Sequence, residues 1–175
     1  MSEIVIYKSK YGSTKEYARW IAEELGCEAV DVKNVKSDEL TKYDTIVYGG
    51  GLYAEMIGGI NFITKNFDKI SDKKLVIFTT GLTPPECREY YDDYVLKKNF
   101  KPYMLEKIKV FNFLGKMIVD DLSFPHKTAI KALKKIMSAK ENPTEMEQML
   151  IKLCDENADY TDRSYITDLV NYIKQ

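Results

Sequence analysis

Cysteine is scarce in this chain: Cys27, Cys87 and Cys154 are scattered through 175 residues, with no Cys-x-x-Cys pair. An odd, widely spaced set excludes a disulfide framework and a thiolate metal cage, and it suits a reducing cytosol. His126 is the single histidine, which argues against a histidine metal cluster and a Ser-His-Asp triad. An excess of one charge is missing too. Lys and Arg number 26 against 27 Asp and Glu, for a net charge of −1, and the pI is near 6.0. General nucleic-acid binding needs a strongly basic surface, so nucleic acid is not an expected partner. No uncharged apolar run approaches the roughly 20 residues that span a bilayer. Residues Met1 to Val5 lack a basic stretch ahead of an apolar one. They read as the start of a strand rather than a secretory leader, so the expected location is the cytoplasm.

What remains is an ordinary globular composition, 45% hydrophobic and 30% charged, in a chain long enough for one domain with a full core. Short apolar runs alternate with segments of helical period. Ile4-Val5-Ile6-Tyr7 is near-continuously apolar, as in a parallel strand buried on both faces. A helix follows, with Ser13-Thr14 at its start, a stripe through Tyr17, Ala18, Ile21, Ala22 and Leu25, and Gly26 as its stop. Further strands are expected at Glu28–Val32, Thr45–Tyr48, Leu75–Phe78 and Lys107–Leu114. Between them, Ile60, Ile63, Phe67 and Ile70 mark one helix. Pro84-Pro85-Glu86 is expected to open another, carrying Tyr90, Tyr91, Tyr94 and Val95 to Lys97-Lys98. A last helix begins near Thr161-Asp162, with Ile166, Leu169, Val170 and Ile173 on one face. This βα alternation predicts an α/β fold with a parallel sheet covered on both sides.

In such sheets ligands bind beyond the carboxyl ends of the strands, and three loops there suit a flat, phosphorylated ligand. Ser9-Lys10-Tyr11-Gly12-Ser13-Thr14 gathers hydroxyls, a glycine and a helix N-terminus, whose N–H groups and dipole can hold a phosphate. It is neither Gly-x-x-x-x-Gly-Lys-Ser/Thr nor Gly-x-Gly-x-x-Gly, so nucleoside triphosphate and dinucleotide motifs are absent. The other two are Gly49-Gly50-Gly51-Leu52-Tyr53-Ala54-Glu55 and Thr79-Thr80-Gly81-Leu82-Thr83-Pro84. A phosphoacceptor signalling module of the same topology needs aspartates after the first and third strands. Lys8-Ser9 and Gly49-Gly50 stand there instead.

Ser9-x-Tyr11-Gly12-Ser13-Thr14 after a first strand resembles the phosphate loop of flavodoxins, Thr/Ser-x-Thr-Gly-x-Thr. That resemblance implies a flavodoxin-like, doubly wound five-stranded parallel sheet in the order 2-1-3-4-5, helices on both faces, and FMN as cofactor. It implies that Ser9, Tyr11, Gly12, Ser13 and Thr14 surround the phosphate. Gly50, Gly51, Leu52, Tyr53 and Ala54 would hold one side of the flavin ring, with Tyr53 as its aromatic. Thr80, Gly81, Leu82 and Thr83 would line the other side. Flavodoxins place a glycine soon after that aromatic, where a peptide flips. Ala54 stands there in this chain, and its Cβ opposes a left-handed conformation.

The stretch from about 115 to 160 is too long for a bare connection and is expected to be an inserted helical element in one flavodoxin-like FMN-binding domain spanning 1–175. Its candidate helix carries Ala129, Ile130, Leu133, Ile136 and Met137 on one side and Lys127, Lys131, Lys134, Lys135 and Lys140 around the rest. No acid occurs from Leu122 to Ala139. Such a helix suits an anionic membrane surface, an acidic partner, or a solvated face. The layout, with Tyr160-Thr161-Asp162 before the last helix, is similar to flavodoxin-like protoporphyrinogen oxidases, which pass electrons to membrane quinones. Two functions stay open. One is an FMN oxidoreductase acting on a porphyrinogen-like substrate with a quinone acceptor, peripheral to the inner face of the membrane through 127–140. The other is an electron carrier that docks redox partner proteins and has no substrate of its own.

Overall fold

The structure, a computed structural model, describes residues 2–154 and 157–175. They fall into two compact units: Met1–Gly115 with Thr161–Gln175, and Lys116–Tyr160.

The larger unit is built on five parallel strands: β1 (Glu3–Lys8), β2 (Glu28–Asp31), β3 (Thr45–Tyr53), β4 (Lys74–Gly81) and β5 (Ile108–Leu114). Their order is β2-β1-β3-β4-β5, and every neighbouring pair among them is parallel. A two-residue strand, Met56–Ile57, adds an antiparallel partner to the end of β3. The doubly wound order expected from the phosphate-loop resemblance is present.

Alternation along the strands divides the apolar side chains between two cores. Ile4, Ile6, Ile46, Tyr48, Leu75 and Ile77 point to one face. There they meet Ile60, Ile63, Phe67, Ile70, Tyr91 and Val95. Val5, Tyr7, Val47, Val76, Phe78 and Phe113 point to the other. On that second face lie α1 (Ser13–Leu25), through Tyr17, Ala18 and Ile21, and α2 (Thr167–Lys174), through Leu169, Val170 and Ile173. Gly26 ends α1 in a left-handed conformation, its N–H within reach of Glu23 O at 3.3 Å.

Four elements differ from the sequence expectation. The last helix, expected near Thr161-Asp162, starts at Thr167 after a 3-10 turn, Arg163–Ile166, which Asp162 caps by accepting the Ser164 N–H. β3 does not stop at the glycines but runs on to Tyr53, because Gly49 and Gly50 still pair with β1 and Gly51 with β4. The helix expected at Pro84 starts at Arg88. The two prolines sit in a turn closed by Cys87 N–H to Pro84 O at 3.0 Å, since a residue preceding proline is pushed out of the helical region. The helix then passes through a π segment, Tyr91–Leu96, before Lys97–Asn99. The segment holding Ile60, Ile63, Phe67 and Ile70 forms two single turns, Asn61–Thr64 and Phe67–Ile70, not one helix.

One buried hydroxyl ties distant parts of this unit. Tyr17 is fully buried; its hydroxyl donates to Leu114 O at 2.7 Å and accepts the Asp162 N–H at 3.1 Å. Tyr17→Phe strands a carbonyl and an amide at once, each costing about 1 kcal/mol or more. Urea denaturation is expected to show a loss of about 2 kcal/mol.

The smaller unit contains two helices, Phe124–Ser138 and Glu145–Leu153, and a two-stranded antiparallel pair of Lys116–Met117 with Ala158–Asp159. The second helix was not legible as a helix from apolar period alone. Its signal is a capping box, in which Thr144 Oγ1 accepts the Glu147 N–H and Glu147 accepts the Thr144 N–H. On the first helix Met137 is buried, while Leu133 and Ile136 are 43% and 64% exposed. The expected single apolar face is therefore divided: Ile130 and Met137 face inward, and Ala129, Leu133 and Ile136 face solvent. The lysines divide as well. Lys127 donates to Asp120 O at 3.0 Å and Lys140 pairs with Glu147, whereas Lys131 and Lys135 are exposed. Among the described residues no helix is long and apolar enough to cross a membrane.

Candidate cofactor-binding site

The three loops meet at the carboxyl edge of β1, β3 and β4. The first spans Ser9 to Thr14. Gly12 adopts φ 99°, a left-handed value that favours glycine, and its N–H is held by Ser9 Oγ at 3.1 Å. This turn brings the chain directly into α1, whose N-terminus has no side-chain cap. The first-turn N–H groups and the positive end of the helix dipole thus face the loop. Ser13 and Thr14 are buried there, while Lys10 stands over the Tyr11 ring with its nitrogen 5.4 Å from the centroid.

Thr14 does not simply line this loop. Its hydroxyl lies 2.7 Å from that of Thr80, at the end of β4, and both side chains are buried. That bond fastens the first loop to the third. Thr80 pairs in turn with Gly51 of β3, and a Cβ on Gly81 would touch Leu52 at 3.3 Å. Thr14, Gly51, Leu52, Thr80 and Gly81 therefore sit at one place. Leu82 and Thr83 leave it toward the helix at Arg88, where the Thr83 carbonyl accepts the Tyr91 hydroxyl at 2.7 Å. Thr14→Val would lose the tie between the loops, and thermal denaturation is expected to show a cost of about 1 kcal/mol.

The glycines of the second loop are needed by the protein itself. A Cβ on Gly50 would lie 2.6 Å from Ile57 Cγ2 and 2.8 Å from the Gly58 carbonyl. A Cβ on Gly51 would lie 3.1 Å from the Tyr53 hydroxyl, because that ring closes back over Gly51 and Gly58. The Tyr53 ring also meets Tyr11 edge-on, with centroids 6.2 Å apart. Burial, with the neighbouring Tyr11, pushes its hydroxyl up to about 12, so it stays protonated and uncharged.

Beyond Tyr53 the chain reverses through Ala54 and Glu55, with Leu52 opposite Ile57 and Tyr53 opposite Met56. Both turn residues are left-handed, at φ 47° and 67°. Two-residue hairpins need such angles and normally recruit Asn or Gly for them. Ala54 was expected to resist that conformation, and it adopts it because the surroundings hold the turn. Asn99 Oδ1 accepts the Ile57 N–H at 2.9 Å, and Asn99 Nδ2 donates to Glu55 O at 2.7 Å. Lys98 Nζ reaches Glu55 Oε2 at 2.9 Å and Ala54 O at 3.3 Å. The strain is about 1–2 kcal/mol per residue. Ala54→Gly is expected to stabilise the fold by up to about 1 kcal/mol, read as a higher urea midpoint. Lys98 and Asn99 had no local signal in the sequence, since they act on residues 43 and 44 positions away.

A flavodoxin domain model matches residues 4–145. The chain belongs to the flavodoxin domain family. It is 32% identical over 120 residues to an uncharacterized protein of Methanocaldococcus jannaschii, covering 66% of this chain and 72% of that one. Among solved structures, the WrbA-like flavodoxin from Agrobacterium tumefaciens is 19% identical, with a TM-score of 0.50, over 69% of this chain and 88% of that one. A flavodoxin from the domain Archaea is 16% identical, with a TM-score of 0.44, over 89% and 97%. At these identities the structural likeness speaks to fold alone.

The residues present fit a phosphorylated flavin. The first loop of this flavodoxin domain offers N–H groups, hydroxyls and a lysine, which are donors, and from Ile4 to Lys15 it has no carboxylate to repel a phosphate. The second offers an aromatic ring, Tyr53, beside Tyr11 of the first loop, while the sides of Gly50 and Gly51 where a Cβ would lie are filled by Ile57, Gly58 and the Tyr53 ring itself.

Proposed function

We propose that this protein binds FMN non-covalently and works as a redox protein through it. Bound FMN supplies the electron transfer. The protein holds the phosphate in the loop of Ser9, Tyr11, Gly12, Ser13 and Thr14, with the Ser9 and Ser13 hydroxyls and the N–H groups at the start of α1 as donors, while the Thr14 hydroxyl is engaged by Thr80 and Gly12 gives the loop its turn. Gly50, Gly51, Leu52, Tyr53 and Ala54 flank the ring on one side, and Thr80, Gly81, Leu82 and Thr83 on the other. The observation that carries this reading is the Thr14–Thr80 bond at 2.7 Å, which fixes a phosphate-type helix terminus beside a strand end paired to the second loop. The test is direct. The purified protein should be yellow and release FMN on denaturation, and apoprotein that ignores added FMN would sink the reading.

Within that function we favour an oxidoreductase, with a porphyrinogen-like donor and a quinone acceptor reached at an anionic membrane surface. Support comes from the helix Phe124–Ser138. It exposes Leu133 and Ile136 beside Lys131 and Lys135, and Phe124 at its start is 82% exposed. Apolar side chains next to cations suit the boundary between lipid headgroups and acyl chains. Leu133→Asp with Ile136→Asp is expected to abolish cosedimentation with anionic liposomes without changing FMN content. Added salt should weaken wild-type binding, because surface charges are screened beyond about 10 Å at 0.1 M. The second reading is an electron carrier for protein partners. It gains first place if porphyrinogen is not oxidised with a quinone present and the wild-type protein ignores the liposomes.

A further inference from the structure

The hairpin Ala54-Glu55 has the wrong residues for its conformation, and both lie next to Tyr53. A two-residue turn with two left-handed L-residues persists only where its surroundings over-determine it. Asn99 makes two of the bonds that hold it, with one side chain. Its carbonyl oxygen takes the Ile57 N–H at 2.9 Å, on the returning strand, and its amide donates to Glu55 O at 2.7 Å, inside the turn. The same amide also donates to Val95 O at 2.7 Å, which anchors Asn99 to its own helix just after the π segment. Lys98 adds a bond to Ala54 O at 3.3 Å and an ion pair with Glu55 at 2.9 Å. Tyr48 fixes the far side of the return, its hydroxyl donating to Gly58 O at 2.8 Å.

We propose that Asn99 is a positioning residue for the flavin ring. It holds the 54–55 turn in its left-handed form, so that Tyr53 and the backbone of Leu52 to Ala54 meet the ring already ordered. The proposal rests on the FMN reading above. Asn99 spans turn and return strand at once, which no single bond to the turn could do. Without it, relaxation of Ala54 and Glu55 to right-handed angles would unpair Tyr53 from Met56, and binding would have to reorder the loop.

The experiment compares FMN and riboflavin affinities of wild type, Asn99→Ala, and Asn99→Ala combined with Ala54→Gly and Glu55→Gly, by fluorescence quenching well below the melting temperatures. Asn99→Ala is expected to weaken both ligands by the same factor, about tenfold, since the ring is common to them. It should also shift the midpoint potential of the bound flavin. The two glycines, which enter the left-handed region freely, should recover most of the affinity. Hydrogen exchange on apoprotein gives an independent readout, with faster exchange at the Ile57 amide in Asn99→Ala. The proposal falls if wild type binds FMN and Asn99→Ala binds both flavins within twofold of it, or if the glycines recover nothing. A wild type that binds neither flavin overturns the FMN reading and this inference together.

Discussion

Ser13→Ala with Thr14→Ala is expected to weaken FMN binding by about two to three decades and riboflavin by about one. The two side chains contribute differently. Ser13 lies in the first turn of α1, where a hydroxyl bond to a charged phosphate is worth roughly 1.5–3 kcal/mol, or about one to two decades at 1.4 kcal/mol per tenfold. Riboflavin has no phosphate and feels none of that loss. Thr14 is bonded to Thr80 at 2.7 Å, so its removal loosens the join between two loops and weakens both ligands by about tenfold. Single variants separate the contributions: Ser13→Ala should discriminate between the flavins and Thr14→Ala should not. Titration of apoprotein with each flavin is the measurement. Equal losses for both ligands in Ser13→Ala would place the phosphate elsewhere.

Gly49→Ala is expected to be among the most destabilising single methyl additions in the larger unit. A Cβ at Gly49 would fall 2.5 and 2.6 Å from Phe78 Cε1 and Cε2, with Cζ nearer still. Gly49 and Phe78 are register partners in the centre of the sheet, and the ring closes over the glycine. The ring has nowhere to retreat: it is fully buried and stacked on Phe113, with centroids 5.5 Å apart. Overpacking of this kind costs typically 1–3 kcal/mol, and the rigidity on both sides puts this case near about 3. At about 2–4 °C per kcal/mol for a chain this size, the melting temperature should fall by roughly 6–12 °C. Phe78→Leu in the same chain should return part of the loss, because it removes the atoms that collide. Additive losses in the double variant would show that the clash is not the cause.

Much of the fold was legible because its information is local. The apolar runs at Ile4–Tyr7, Thr45–Tyr48 and Leu75–Phe78 lie in strands, as does the run expected from Lys107 once it reaches Ile108, and Tyr17, Ala18 and Ile21 of α1 and Leu169, Val170 and Ile173 of α2 are buried. Period and strand length act over a few residues, so a reader of the sequence meets them directly. A helix start directly after β1 was legible in the same way, through Gly12 and Ser13-Thr14. The Glu145–Leu153 helix carries its local signal in the Thr144-x-x-Glu147 capping box and not in a long apolar period. The extension of β3 through three glycines has no local signal, since glycine disfavours strands and only pairing with neighbouring strands compensates.

The sequence by itself thus determined the βα alternation, the two-faced strands and the position of the phosphate-type loop at a helix N-terminus. Tertiary structure alone decided how the loops are joined. The Thr14–Thr80 bond links residues 66 apart and Asn99 reaches a carbonyl 44 residues away. The turn at Ala54-Glu55 goes against the preference of both residues, and the conformation follows from bonds to a helix distant in sequence. Local propensities of about 1 kcal/mol per residue are outweighed there by several hydrogen bonds that exist only once the chain has folded.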